Sequence, residues 1–156
     1  MAWTNSKIFV SYIIGSANRT LLFDVDTDVV KAALYDTNSV PSNTVSAANS
    51  AYLVDQWVVG REVSHVAHWA VGGQTIAGIT VTQPGATTTA MIDGNDTASV
   101  DSATTLAAVF GCLVYDSTIA AVNGVCYNYF GGTQSVTLGS FTIVWNASGI
   151  ASISVA

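Results

Sequence analysis

Glu62, His65 and His68 recur at steps of three in the stretch REVSHVAHWAVGG, and these are the only two histidines in the chain. A carboxylate and two imidazoles are donors that zinc and non-haem iron accept, so the spacing raises the question of a metal site. Steps of three converge only on a helix, because successive strand residues alternate faces. Even on a helix the outer two residues end roughly 120° apart, and only neighbouring pairs meet well. The surrounding Val58, Val59, Gly60, Val63 and Val66 are poor helix formers, and no cap precedes them. No second histidine cluster exists to complete a ligand set. The expectation is no metal and no cofactor, with both histidines on a surface loop beside a packing Trp69.

Other chemistry-bearing patterns fail on spacing. Asp24, Asp26 and Asp28 open like a calcium loop, but Val29 and Tyr35 stand where an EF-hand needs glycine and glutamate. Strand-entry or capping carboxylates account for them better. The D-G-N-D of residues 93–96 fits either a weak calcium loop or an Asx turn. There is no G-x-S-x-G elbow, and Gly131-Gly132 is followed by Thr-Gln-Ser rather than the lysine of a phosphate loop. Glu62 is the only glutamate, so no pair of glutamates offers itself for glycoside cleavage. No catalytic residue is expected.

The elements that would carry these residues are mostly strands. Thr4, Asn5 and Ser6 are capping residues ahead of Ile8, Phe9, Tyr12 and Ile13, which predicts one short helix stopped by Gly15. Val29 to Tyr35 reads as a strand. Thr37 to Ser50 reads as a surface loop, and Trp57 to Val63, Thr75 to Thr82 and Thr88 to Ile92 as short strands. QPGATTTA, residues 83–90, is expected to be an exposed loop. FGCLVYD and GVCYNYFGG predict a hairpin whose symmetric register puts Cys112 opposite Cys126. Without C-x-x-C spacing or a disulfide framework the two cysteines are expected to be buried free thiols, a cross-strand bond being the alternative. SFTIVWN and IASISV close the chain as strands joined by NASG. Turn signals every 8–12 residues predict a single mainly β domain over residues 1–156. Its expected form is an antiparallel β-sandwich or barrel with one short N-terminal α-helix.

Composition bounds the partners. Of 156 residues 50% are apolar and only 9% are charged, against roughly 25% in ordinary domains. So uncharged a surface predicts burial in a homo-oligomer or lattice. Lys7, Arg19, Lys31 and Arg61 are isolated from one another and the net charge is -6, which argues against nucleic acid and anionic membranes. The apolar stretch from Ile8 to Ile14 is short and interrupted, so synthesis in the cytoplasm without a secretory signal is expected. The N-x-S/T triplets at Asn18, Asn95 and Asn146 then read as turn chemistry. Trp3, Trp57, Trp69 and Trp145, with Tyr127, Tyr129 and Phe130, suit core packing, a protein anchor or a sugar-stacking platform.

Several words of the sequence, in order, resemble the small virion structural proteins of tailed phages of actinobacteria. They are MAWTNSKIF, FDVDTD with KAALYD, DGNDTAS, GCLVYD, GVCYNYFGG and SFTIVWNASG. The resemblance implies a non-enzymatic, β-rich capsid decoration protein on the capsid surface of the virion, bound to the major capsid protein as a homotrimer or among lattice neighbours. The other reading is a carbohydrate- or receptor-binding module or a tail component. The partner interface is expected at Trp3, Ile8, Trp69, Tyr129 and Phe130, with Met1 and Ala2 joining Trp3 against a neighbouring subunit. The loop ending in Trp69 and Gly72-Gly73 matches the family pattern, from which the paired histidines depart.

Overall fold

A computed structural model describes residues 3–85 and 88–154. The expected subunit contact of Met1 and Ala2, part of the QPGATTTA loop, and Val155 of the expected IASISV strand lie outside the described residues.

The elements run β1 (Lys7–Ile8), α1 (Val10–Asn18), β2 (Val30–Tyr35), a single-turn α2 (Ala47–Ser50), two 3-10 turns (Asp55–Trp57 and Val59–Arg61), β3 (Gln74–Thr75), β4 (Thr80–Thr82), β5 (Thr89–Asp93), β6 (Thr97–Ala98), β7 (Thr104–Asp116), β8 (Gly124–Gly139), β9 (Thr142–Ile143) and β10 (Ala151–Ser154). The chain is mainly β with antiparallel sheets and a sandwich-like arrangement, and no closed barrel forms among the described residues. One sheet has the order β1-β8-β7-β2-β3, a second β10-β5-β4, and β6 pairs with β9.

The β7–β8 hairpin is the spine. Tyr35, Leu113, Tyr127 and Tyr129 share one face of the first sheet, while Leu34, Cys112, Val114 and Cys126 share the other. Burial on both faces explains why β2 reads VKAALY, nearly continuously apolar rather than alternating. On the aromatic face Trp57 is wholly buried, its ring 5.0 Å from Tyr35, 5.9 Å from Trp3 and 6.0 Å from Tyr127. Gly111 makes room for Trp3: a Cβ there would come within 2.5 Å of the indole.

Several local expectations are corrected. The helix begins later than Thr4–Ser6 predict, because Lys7 and Ile8 pair with Tyr127 and Cys126 and hold the chain extended through Phe9. Gly15 does not end it. Leu21 folds back within 2.5 Å of where a Gly15 Cβ would lie, and the helix stops at Arg19, which takes the left-handed conformation at φ 58°. Residues 57–63 are not a strand: Leu53 (φ 70°) and Asp55 (φ 51°) turn the chain into successive 3-10 turns, leaving one bridge between Tyr35 and Glu62. NASG does close a tight turn, with Gly149 N–H donating to the Asn146 carbonyl, but β9 and β10 then join different sheets.

The cysteine register also shifts. The loop closes with Asp116 N–H donating to the Asn123 carbonyl, and a bulge between Val114 and Tyr115 adds a further step, so Cys112 faces Asn128 and Cys126 faces Val114. Both thiols are buried and free, as diagonal neighbours on one sheet face. Burial pushes both thiols up, Cys126 to about 12, which leaves them inert. Asn18 and Asn146 form the expected Asx turns, accepting N–H bonds from Thr20 and Ser148.

Candidate functional site

The histidine stretch folds as a tight turn. His65 N–H donates to the Trp69 carbonyl and Trp69 N–H donates back, with Ala67 left-handed at φ 67° between them. The two imidazoles lie 4.5 Å apart, half-buried. His65 Nδ1 accepts from Thr105 N–H at 2.9 Å, which places the proton of the neutral ring on Nε2. His68 Nδ1 meets Asp101 Oδ1 at 2.7 Å. The Asp101 carboxyl is held below the usual range, first by the Ala103 N–H and then by His68. Together these bonds tie the turn to the entry of β7.

Glu62 goes elsewhere. Its carboxylate accepts from Tyr52 Oη–H at 2.8 Å and from Gly72 N–H at 2.7 Å, and Tyr52 stacks on Tyr115 at 4.7 Å. Tyr115 in turn donates to the Gly72 carbonyl. Burial pushes the Glu62 carboxyl up, against those two hydrogen bonds. Among the described residues, no three histidine, cysteine or carboxylate side chains gather where they could hold a metal ion. The three-residue spacing therefore joins two separate networks, one bracing the turn and one bracing the glycine pair.

A second buried carboxylate sits at the end of β7. Asp116 has no exposed surface; its Oδ1 accepts from Thr118 and Ile119 N–H, and its Oδ2 has no partner among the described residues. Burial, reinforced by the nearby Asp28 carboxyl, raises its pKa to about 6. The folded state then binds a proton that the unfolded chain, near pKa 3.9, has released. Stability contributed by this proton is present at low pH and is lost as pH rises through about 6. Urea unfolding followed from pH 4 to pH 7 is expected to show that decline, and Asp116→Asn to flatten it. An unchanged slope in the variant would assign the decline to other groups.

A concave surface lies along the outer edge of β8. Two adjoining open grooves, of about 520 Å³ and 530 Å³, share Ser6, Asn128, Asn146 and Gly149 and so run on as one trough. Its first half is lined by Tyr129, Phe130, Phe141 and Trp145; its second by Ile8, Ile13 and Ile150. A bulge shapes the rim. Between the pairs Val109–Gln134 and Gly111–Tyr129, β8 carries three more residues than β7, accommodated by Gly131 (φ 78°) and Gly132 (φ 156°). The glycine pair that fails as a phosphate loop is thus the bend beside Phe130.

The five expected interface residues divide accordingly. Trp3 and Trp69 are buried in the chain's own core. Trp3 packs between Trp57 and Tyr129 and donates its indole N–H to the Asp36 carbonyl, and Trp69 meets Phe141 edge-on at 5.6 Å. Neither leaves a ring face outside the chain. Ile8, Tyr129 and Phe130 are half-buried and line the trough. Sequence reasoning missed the packing of Phe141 on Trp69 and the partners of Trp145, since these contacts join distant segments, Trp145 bonding to Asn95 and Thr97 at separations of 50 and 48 residues. It also missed the exposed face of α1. Phe9 and Tyr12 face inward, but Val10, Ile13 and Ile14 are 40%, 40% and 55% exposed.

Comparison with protein-family models, with curated proteins and with solved structures finds no match.

Proposed function

We propose that the chain is a non-enzymatic virion structural protein, a decoration subunit that binds the major capsid protein on the capsid surface and strengthens the shell. The observation that carries this reading is α1. Its sequence VSYIIGSAN has no charged residue, yet Val10, Ile13 and Ile14 form an outward stripe at helical spacing, with Leu22 following at 73% exposed. A solvated helix ordinarily turns such a stripe inward. An unpartnered apolar stripe on a chain with so few charges suits a surface covered in an assembly, by the shell and by trimer or lattice neighbours. A subunit that binds only the assembled shell stabilises it by mass action. The resemblance to phage virion proteins supports the same reading. So do the two histidines, each bonded through Nδ1, and Glu62, bonded through its carboxylate, all three bracing the fold.

The double variant Ile13→Asp, Ile14→Asp tests it. Both positions are exposed, so the variant is expected to keep the wild-type melting temperature. It is also expected to co-sediment with capsid shells at least tenfold less well, and the shells to lose their added heat resistance. Wild-type protein that fails to bind shells, or a variant that binds them equally, would overturn the proposal.

A further inference from the structure

We propose that the trough beside β8 is a binding site for a neutral oligosaccharide chain. The site goes beyond the decoration role and does not rest on it.

The rings come first. Tyr129, Phe130, Phe141 and Trp145 are half-buried, and three of them are braced from behind. Tyr129 stacks on Trp3, Phe141 abuts Trp69 edge-on, and Trp145 donates its indole N–H to the Asn95 carbonyl at 3.1 Å and to Thr97 Oγ1 at 3.2 Å. Holding the rings in advance removes most of the ordering cost of binding. Fixed ring faces offer flat apolar surface of the kind the C–H faces of a sugar ring cover.

Neutral polar groups are interleaved with them. Ser6, Asn128, Gln134 and Asn146 line the same trough, and Asn146 is fixed by the bond from Ser148 N–H to its Oδ1. Amides and a hydroxyl supply both donors and acceptors, which matches the hydroxyl groups of sugars. Charge selects against other ligands. Lys7, in the second half only, is the one charged side chain among the lining residues, although the chain as a whole carries -6. Phosphates, nucleotides and strongly acidic peptides find no counter-charge in the first half and only Lys7 in the second, and cationic ligands find none in either. Each half falls within the usual volume range of small-molecule sites, and their continuity suits a chain of several sugar units.

The test titrates the isolated protein with linear neutral hexasaccharides of glucose, mannose, galactose, arabinose and N-acetylglucosamine, read by calorimetry and tryptophan fluorescence. At least one is expected to bind with a Kd below about 1 mM. Trp145→Ala is expected to weaken that binding about tenfold. Gln134→Ala, an exposed position, covers the case in which loss of the indole unfolds the protein; it is expected to weaken binding several-fold at unchanged melting temperature. Absence of binding across the panel overturns the site, as does binding that neither substitution alters. No capsid enters the assay, so its failure is distinguishable from failure of the decoration reading.

Discussion

Replacing Trp57 by alanine is expected to cost about 3–5 kcal/mol of stability, a large share of the roughly 5–15 kcal/mol that holds a domain together. The residue has no exposed surface and stands where the N-terminal segment, the 3-10 turns and the main sheet converge. Its ring is flanked by Trp3, Phe9, Tyr35 and Tyr127, and its carbonyl accepts from Tyr35 Oη–H at 2.7 Å. Truncation removes the shared wall of four aromatic contacts, and large rings set on a β-sheet cannot collapse into the void. Trp57→Phe is expected to cost less than about 2 kcal/mol. It keeps most of the volume and deletes an indole N–H that has no partner among the described residues. Urea midpoints of the three proteins check both values. A loss below about 1 kcal/mol in the alanine variant would show that the N-terminal segment does not depend on this ring.

Legibility followed range. β2, β5 and the β7–β8 hairpin were readable because β-branched and aromatic runs bounded by turn residues carry the strand signal locally. The run from Trp57 to Val63 had the same composition and was misread. What decides it is the left-handed pair Leu53 and Asp55 upstream and the pull of Trp57 into the core, both tertiary facts. Thr4, Asn5 and Ser6 carry a genuine capping signal, overridden by the edge pairing of β1 with β8 across more than a hundred residues. The site behaves likewise. The aromatics of GVCYNYFGG could be named from sequence. Their placement beside Phe141 and Trp145 could not, because it depends on a glycine bulge and on β9 and β10 parting into different sheets. Asp101, the carboxylate that partners His68, lies 33 residues away with no periodic signal to announce it.

Gly73 offers the second large effect, and Gly72 its control. Both are left-handed, at φ 75° and 92°, so a side chain at either adds backbone strain of about 1–2 kcal/mol. Their surroundings differ. A Cβ on Gly72 would meet nothing nearer than the Tyr115 hydroxyl at 3.6 Å, an ordinary contact. A Cβ on Gly73 would lie 2.0 Å from the Ala32 carbonyl oxygen and 2.4 Å from its carbon, backbone atoms at the point where β2 pairs with β3. No rotamer relieves a clash with main chain in a largely buried strand, so the turn must move away. Moving it pulls on Gly72, whose N–H and carbonyl hold Glu62 and Tyr115, and so on the whole carboxylate and tyrosine network. Gly72→Ala is therefore expected to fold with a modest loss of about 1–2 kcal/mol. Gly73→Ala is expected to lose about 4 kcal/mol or more, or to fail to fold, since it combines backbone strain with a broken buried network. Equal losses in the two variants would mean that backbone strain alone sets the cost, and that β3 can part from β2 without consequence for the sheet.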